Sequence, residues 1–346
     1  MQHVAIDLGS RESQICVRNE VGEIVTERKL ATARLPSYLA KQPRSRVIVE
    51  TSSEAFFIAD AALAHGHEVR VVPATLVRQL GVGERGMKTD QRDARKLSEV
   101  STRIDLPSVH VPSEKSRERK ALCNSRSTLL CSRTQLINYV RGQLRARAVV
   151  IGKRNPETFP KHVREILLNQ PEGLAQHMDR VLMVLEALNV QLKEADQELE
   201  AVAEQDPVCQ RLMSVPGVGP VIAVRFVSVV DQPERFGSAH QVMSYVGLTP
   251  GENSSSMRTQ RTGITKAGAS DLRFALVQGC WSMMRSKPNE PMVKWALAIA
   301  ARRNKQIAVV ALARKLVGIL WVVWSEGAIY QPEKTAAPTA AVSSKS

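Results

Sequence analysis

Short runs of β-branched and apolar residues recur through the first 105 residues of the chain. Three of them predict successive strands: "HVAIDLG" (3–9), "SQICVRN" (13–19) and "EIVTERKLA" (23–31). Two more, "RVIVET" (46–51) and "EVRVVPA" (68–74), flank a segment of helical character, "SEAFFIADAALAHG". Because strand-helix-strand order implies a parallel connection, the sequence predicts an α/β domain with a partly parallel sheet.

The net charge of the chain limits the classes of molecule that it is expected to bind. The 346 residues have room for two or three domains and carry a formal charge of +14. A surplus of that size indicates a polyanion, with nucleic acid as the first candidate and an acidic membrane surface as the second. The most apolar stretch, "LVGILWVVW" (316–324), is too short to span a bilayer, so no membrane partner is expected. Aromatic residues make up only 4%, which argues against recognition mainly by base stacking.

The N-terminus and the cysteines bear on the cellular compartment. The start "MQHVAIDLGS" lacks the charged and apolar regions of a signal peptide. The five cysteines form no CxxC pair and leave one odd, so neither a zinc site nor a disulfide framework is indicated. We predict a reduced, cytoplasmic protein.

A change of pattern divides the chain into an α/β domain (1–110), a helical region (111–206), a third domain (207–328) and a tail (329–346) of disordered composition. The helical region contains apolar residues at alternating steps of four and three, which is a heptad pattern. One interpretation is a coiled coil between chains. The other is one long helix folded back on 115–148 within the same chain. The heptad positions are Leu174, Met178, Val181, Leu185, Leu188, Leu192, Ala195, Leu199 and Val202.

The third domain begins with a stretch, "SVPGVGPVIAVRFVSVV" (214–230), that fits a helix-hairpin-helix element. Its turn, with Gly217 and Gly219, would offer backbone N–H groups and a helix N-terminus to a phosphate without reading base sequence. A plain helical turn is the alternative. The rest of this domain is predicted to be mainly helical around a Gly/Ser/Thr-rich centre.

Two aspartates, Asp90 and Asp93, stand in the basic stretch "KTDQRDARK". On a helix starting near Thr89, they share a face with Leu97 and Val100, which predicts that they point toward the domain interior. Acids in the first turn of a helix also complement its dipole, and this simpler explanation stays open.

Two further acids lie in apolar strand segments, Asp7 in the first strand and Glu50 at the end of "VIVE". Buried charges need a partner, and four carboxylates at strand ends and a helix start suit two divalent cations that promote phosphoryl transfer. Oxygen ligands without Cys or His clusters favour Mg²⁺ or Mn²⁺. "DLGS" also resembles the phosphate-binding turn of actin-like ATPases and sugar kinases, but the further elements of that family are missing.

The stretch "YVGLTPGENSSSMRTQRTGITKAGASDLR" (245–273) reads most simply as a flexible surface loop. Four cations around it, however, suit a loop that faces phosphates: Arg258, Arg261, Lys266 and Arg273. A serine hydroxyl there would attack a phosphodiester if a metal or base made its proton easier to remove.

These motifs together resemble the DEDD transposases of bacterial insertion sequences, the IS one-ten / IS eleven-eleven type, described as bridge-RNA-guided recombinases. The resemblance covers roughly residues 1–325 and matches "AIDLGS", "VIVETSS", "KTDQRDAR", "SVPGVGP" and "GLTP…SS…GITKAG…LR". By this match, the four metal-binding and catalytic acids are Asp7, Glu50, Asp90 and Asp93. The family's nucleophilic serine follows the GL-x-P element, usually within "SSGG". Here the text is "SSSM", so Ser255 is the expected nucleophile and Ser254 the alternative.

What the resemblance implies is an RNase H-like (RuvC-like) domain, then an α-helical coiled coil, then a mainly α-helical transposase domain. The two end domains would form a composite site in a homo-oligomer, a dimer of dimers. Mg²⁺ would assist the serine, which would hold cut DNA as a covalent phosphoserine. A noncoding guide (bridge) RNA would select element ends and target in double-stranded DNA.

Two other functions stay open from the residues. A metal-dependent DNA nuclease, such as a junction resolvase, would use the acids to activate water, and the serines would only form a loop. A scaffold that binds nucleic acid without cutting it is the third possibility.

Overall fold

A computed structural model describes residues 1–79, 90–168, 172–255 and 258–332, so the predicted tail lies almost wholly outside the described residues. The chain forms two compact units, Met1–Pro112 and Ser113–Ser346, and each is described here by itself. The predicted boundary at 206/207, inside the second unit, stays a prediction.

The first unit is a mixed α/β domain, as predicted. All five predicted strands are confirmed, with ends shifted by one or two residues, and so is the helix between the fourth and the fifth. The elements are β1 (Gln2–Asp7), β2 (Glu12–Arg18), β3 (Ile24–Ala31), a 3-10 turn (Thr32–Arg34), α1 (Leu35–Leu39), β4 (Ser45–Glu50), α2 (Ala55–Ala64), β5 (Glu68–Val72), α3 (Ala74–Gln79) and α4 (Asp90–Arg103).

The five strands form one sheet in the order β3-β2-β1-β4-β5. Strands β1, β2 and β3 pair antiparallel, whereas β1 pairs with β4, and β4 with β5, in parallel. The crossover through α2 therefore produces the predicted parallel portion. This arrangement is consistent with the RNase H-like fold that the resemblance implies.

Alternating residues of the central strands face two different cores. Val4 and Ile6 of β1, with their neighbours on β2 and β4, pack against α1 and α2. Ala5 of β1 and Ile48 of β4 face the opposite side of the sheet, where Leu97 of α4 covers them. The sheet is thus covered on both faces, and α4 lies on the face of Ala5 and Ile48.

The second unit is mainly helical, as predicted. Its elements are α5 (Glu114–Arg145), α6 (Phe159–Leu167), α7 (Glu172–Gln205), α8 (Pro207–Met213), α9 (Pro220–Val230), a 3-10 turn (Pro233–Arg235), α10 (Ala239–Tyr245), β6 (Pro250–Ser255), β7 (Arg258–Ile264), α11 (Ser270–Ser286), α12 (Pro291–Arg302) and α13 (Lys305–Ser325).

Helix α7 folds back on α5 within the chain, which is the second of the two interpretations of the heptad pattern. Five members of the pattern are buried: Met178, Leu185, Leu192, Ala195 and Leu199. The pairing is antiparallel. Arg126 of α5 contacts Asp196 of α7, whereas Arg133, two turns later in α5, contacts Asn189, which is earlier in α7. The heptad residues therefore find partners inside one chain.

Helix α13 corrects the expectation that no segment is long enough to cross a membrane. Among the described residues, α13 alone is long and apolar enough to cross a membrane. Half of its most apolar window is buried in the second unit, in a core that includes Leu312, Leu316 and Leu320. A core helix of a globular domain has the same properties, so we find no argument here for a membrane.

The stretch 250–264 corrects the interpretation as a plain loop, since β6 and β7 form an antiparallel hairpin. Two glycines at its base require a left-handed backbone, Gly247 (φ +74°) and Gly268 (φ +69°). A Cβ at Gly247 would lie 2.0 Å from the carbonyl oxygen of Ala267, and one at Gly268 would lie 2.1 Å from that of Tyr245. The two segments at the base of the hairpin therefore approach each other closely only because neither residue has a side chain.

We expect Gly247→Ala to destabilise the protein, because left-handed backbone strain costs about 1–3 kcal/mol and the Cβ would also overlap a carbonyl. Thermal unfolding followed by circular dichroism measures the loss. Gly263→Ala is the matched control, since a Cβ at Gly263 of β7 would meet nothing within 4 Å. Equal unfolding temperatures for the two variants would contradict the expected role of Gly247.

Candidate active site

Two of the predicted acids, Asp7 and Glu50, end neighbouring parallel strands. Ile6 of β1 pairs with Val49 of β4, so the two acids follow side by side at the carboxyl edge of the sheet. Each stands two residues beyond a residue that faces α4, namely Ala5 and Ile48. Because side chains alternate along a strand, both carboxylates lie on the face of the sheet that α4 covers, on strands about 4.8 Å apart.

Side-chain contacts fix the direction of α4 across the sheet. Nδ1 of His3, near the start of β1, lies 2.8 Å from Oγ of Ser101 in the last turn of α4. Oγ of Ser98 donates to Sγ of Cys16 at 3.2 Å, and Cys16 is the β2 partner of Ala5. Since later residues of α4 lie over the start of β1, the helix runs antiparallel to β1, and its first turn lies toward the end with Asp7.

The same contacts place Asp93 level with Asp7. From Ser101 back to Asp93, α4 covers eight residues, or about 12 Å. From His3 to Asp7, β1 covers four residues, or about 13 Å. Asp93 is one turn before Leu97 on the same helix face, and only 7% of its surface is exposed. Asp7, Glu50 and Asp93 thus share one face and one end of the sheet.

Asp90 is the first residue of α4, one turn before Asp93, but its side chain is not among those that the structure describes. Within the described side chains, no group of three or more His, Cys, Asp or Glu is arranged as metal ligands. The acids at this edge offer only carboxylate oxygens, the donor type that Mg²⁺ and Mn²⁺ prefer. The chemistry of the donor set therefore fits a hard divalent cation.

A polar contact on another face of α4 holds this helix in place. Glu27 of β3 accepts two hydrogen bonds from the guanidinium of Arg95, from Nε and from Nη2, the latter at 2.5 Å. Gln91 donates to the same carboxylate at 3.4 Å. Because a forked guanidinium–carboxylate pair has a fixed geometry, it restricts rotation of the helix that carries Asp93. Arg95 therefore pairs with Glu27 of β3.

The Arg95 guanidinium holds the pKa of the Glu27 carboxyl below its ordinary value. A lowered pKa in the folded state adds stability above the ordinary value, and this stability is lost as pH falls through the lowered pKa. We therefore expect wild type to melt at a higher temperature than Glu27→Gln at neutral pH, with the difference disappearing as pH falls through the lowered pKa of Glu27. Glu12→Gln, which removes an exposed pair with Lys29, is the control and should show little difference at any pH. A Glu27→Gln difference that persists in acid would contradict the ion-pair explanation.

The candidate serines lie near the end of strand β6. In the hairpin register, Ser255 is opposite Arg258 and Ser254 is opposite Thr259. The side chains of these residues and of Arg261 lie outside the described ones. The backbone register therefore pairs the expected nucleophile, Ser255, with Arg258, one of the predicted phosphate-binding residues.

The other predicted nucleic-acid-binding residues differ in their surroundings. Lys266 is exposed and has a left-handed backbone (φ +56°). Nη1 of Arg273 donates to the carbonyls of Val246, at 2.9 Å, and Ala267, at 2.5 Å, so this arginine also ties the base of the hairpin together. Gly217 (φ +78°) packs against α11, where a Cβ would lie 3.1 Å from Cβ of Met283. Gly219 precedes α9 as its N-cap, and a Cβ there would meet nothing within 4 Å.

Two features of the candidate site are missing from the sequence interpretation. Glu27 is the first: the sequence predicts only a strand there, although a glutamate between polar neighbours in "TERK" is able to pair with the arginines of α4. The hairpin is the second, because its strands are rich in polar residues and Pro250 and Gly251, which suggest a turn, lie within β6.

Comparison with protein families gives two matches. Residues 4–147 match a DEDD transposase model of the IS110 type, described as "Transposase". Residues 209–306 match the model described as "Transposase IS116/IS110/IS902 family". The first match contains Asp7, Glu50, Asp90 and Asp93, and the second contains the hairpin.

Individual relatives are similar over most of the chain. The transposase for insertion sequence element IS1111A of Coxiella burnetii is 28% identical, over 95% of this chain and 91% of the relative. The transposase for insertion sequence element IS1328 of Yersinia enterocolitica is 25% identical, over 94% and 98% respectively. The y4qE protein of Sinorhizobium fredii, also named as a transposase, is 30% identical over 75% and 70%.

Proposed function

The chain belongs to the IS116/IS110/IS902 family of insertion-sequence transposases, and on that premise we propose that it cuts and rejoins DNA through a covalent phosphoserine with the help of Mg²⁺ or Mn²⁺. The observation that carries the proposal is the convergence of Asp7, Glu50 and Asp93 on one face and one end of the sheet. Family membership leaves no role for the actin-like ATPase interpretation.

Asp7, Glu50, Asp90 and Asp93 are the proposed ligands of the divalent cation. Bound there, the cation would neutralise charge that develops on the phosphate during transfer. The contact of Glu27 with Arg95 and Gln91 supports this role indirectly, because it fixes the helix that carries two of the four acids. The position of Asp93, one helical turn before the buried Leu97 on the face of α4 that covers the sheet, also supports it.

Ser255 is the proposed nucleophile, with Ser254 as the alternative. Its hydroxyl oxygen attacks the phosphorus, and the new Oγ–P bond replaces one ester bond of the strand. The displaced strand end leaves as a hydroxyl group that takes up a proton. Attack by the hydroxyl of a second strand end reverses these changes and releases the serine, so rejoining needs no ATP.

Nucleic-acid contacts form a further part of the proposal. Helices α8 and α9, with the turn at Gly217 and Gly219, act as a helix-hairpin-helix element that binds backbone phosphates. Further phosphate contacts come from four cations: Arg258, Arg261, Lys266 and Arg273. A noncoding bridge RNA selects the element ends and the target in double-stranded DNA. The intrachain pair of α5 and α7 offers its outer surface to other chains, which associate as a dimer of dimers.

One experiment separates the candidate functions. The purified protein is incubated with the RNA encoded beside its gene, Mg²⁺ and labelled DNA that contains an element end. Recombinant DNA together with an SDS-stable protein–DNA band is the expected result. Cut DNA without any such band would favour the second candidate, a metal-dependent nuclease that uses activated water. Binding without cutting in either metal would favour a scaffold.

A further inference from the structure

A cavity of about 670 Å³ lies in the second unit at the base of the β6–β7 hairpin. Pro250 and Ile264, which pair with each other where the hairpin begins, form part of its wall. The remaining apolar wall includes Met243 of α10, Trp295 of α12 and Ala311 of α13. Its volume is in the range of sites that hold a small organic group.

Three side chains that are or can become cationic also line this cavity: His240, Arg314 and Lys315. Nζ of Lys315 lies 4.9 Å from the centroid of the Trp295 ring, a cation–π contact. Burial lowers the pKa of the Lys315 ammonium, so a nearby anion would stabilise its charged form. Among the described residues of this wall there is no Asp or Glu, and the cavity therefore suits an occupant that is apolar in one part and negatively charged in another.

We propose that this cavity receives one nucleotide that is unstacked from the DNA, with its base against Trp295 and Met243 and its phosphate at Arg314 and Lys315. The inference rests on the proposed function, because it takes the DNA that the serine attacks as the source of the nucleotide. Enzymes that act on nucleic acid extrude bases in this way at a cost of a few kcal/mol. Contacts of the base with the apolar wall and of the phosphate with the two cations offset that cost.

The hairpin sets the distance between the cavity and the reacting phosphate. From Pro250 to Ser255, strand β6 covers five residues, or about 17 Å. One strand of duplex DNA advances 3.4 Å per nucleotide, so this distance corresponds to about five nucleotides. The extruded nucleotide is therefore expected within about five positions of the cut. A base held there would fix the register of the strand relative to Ser255.

The test uses the full-length protein, the RNA encoded beside its gene, and element-end DNA with 2-aminopurine at one position at a time near the cut. Mg²⁺ is left out, so the strand stays intact and the fluorescence reports base environment alone. We expect a change at one position only. Ala311→Phe, which fills the cavity, should remove this change and weaken DNA binding about tenfold, in keeping with the loss of one base–aromatic contact. Ala298→Phe, at an exposed position of α12, is the matched control and should retain both.

Several outcomes would overturn the inference: no position-specific change, a change that persists in Ala311→Phe, or failure of wild type to bind the DNA in an anisotropy measurement. A position-specific signal from labelled guide RNA, with none from DNA, would overturn it in favour of an RNA nucleotide. Circular dichroism of Ala311→Phe checks that the fold is kept, and Ala311→Leu repeats the test with a smaller side chain. Failure of the proposed function is visible separately, because wild type with Mg²⁺ would then form no phosphoserine adduct while the fluorescence change persists.

Discussion

Asp93→Asn should lower the rate of DNA cutting at least about a hundredfold while leaving the fold unchanged, because removing one stabilising group from a phosphoryl or acyl transfer site typically costs that much. Asparagine has nearly the same volume as aspartate but lacks the charge that holds a divalent cation. The loss should appear in Mg²⁺ and in Mn²⁺, measured as cleavage of labelled element-end DNA. Binding of Mn²⁺ to the protein without DNA should weaken in parallel.

The matched control for Asp93→Asn is Glu99→Gln on the same helix. Glu99 pairs with Arg103 at 2.7 Å and with Lys96 at 3.8 Å, in contacts one turn apart along α4. Exposed pairs of this kind contribute little, so Glu99→Gln should keep nearly full cutting activity. If both variants cut DNA at the wild-type rate, Asp93 is not a metal ligand and its burial has another cause. If both lose activity and their unfolding temperature falls, the effect is one of stability.

Ser255→Ala should abolish the SDS-stable protein–DNA adduct completely, since no other atom of that side chain can form the ester with phosphorus. DNA binding should remain, because one hydroxyl contributes little to a contact dominated by phosphates and cations. The adduct is measured on a denaturing gel with labelled DNA and Mg²⁺. Ser254→Ala, one residue earlier on β6, is the matched control and should still form the adduct.

The opposite result for the two serine variants would identify a different nucleophile. An adduct lost in Ser254→Ala and kept in Ser255→Ala would move the nucleophile by one residue and leave the mechanism intact. Cut DNA in the absence of any adduct, with both serine variants as active as wild type, would contradict the phosphoserine and favour activated water.

The acidic edge of the sheet was predictable because its pattern is local. Asp7 and Glu50 interrupt apolar strand segments, and Asp93 shares a helical face with Leu97, so the sequence alone indicates three carboxylates that turn inward. The direction of α4 was not predictable, because it depends on contacts between residues 80 to 100 positions apart, such as His3 with Ser101. The contact of Glu27 with Arg95 is not predictable for a similar reason, because the two residues lie 68 positions apart.

Other parts of the fold cannot be predicted from the sequence because one sequence pattern is compatible with two different structures. The heptad positions of α7 look the same whether the partner is α5 or a second chain, and only the structure shows Arg126 beside Asp196. Gly217 needs a left-handed backbone in either a phosphate-binding turn or a tightly packed one, and its contact with Met283 is invisible in the sequence. The hairpin lacks the apolar alternation by which strands are recognised.

The antiparallel pairing of α5 with α7 limits how this protein can change its length during evolution. Helix α5 has 32 residues and is therefore about 48 Å long. Deleting seven residues from one helix alone would shift every contact beyond that point by about 10 Å along its partner. An insertion or deletion is tolerated only if a second one of equal size occurs at the matching level of the other helix. Length variants of this rod should therefore arise as coupled changes in two distant segments of the gene.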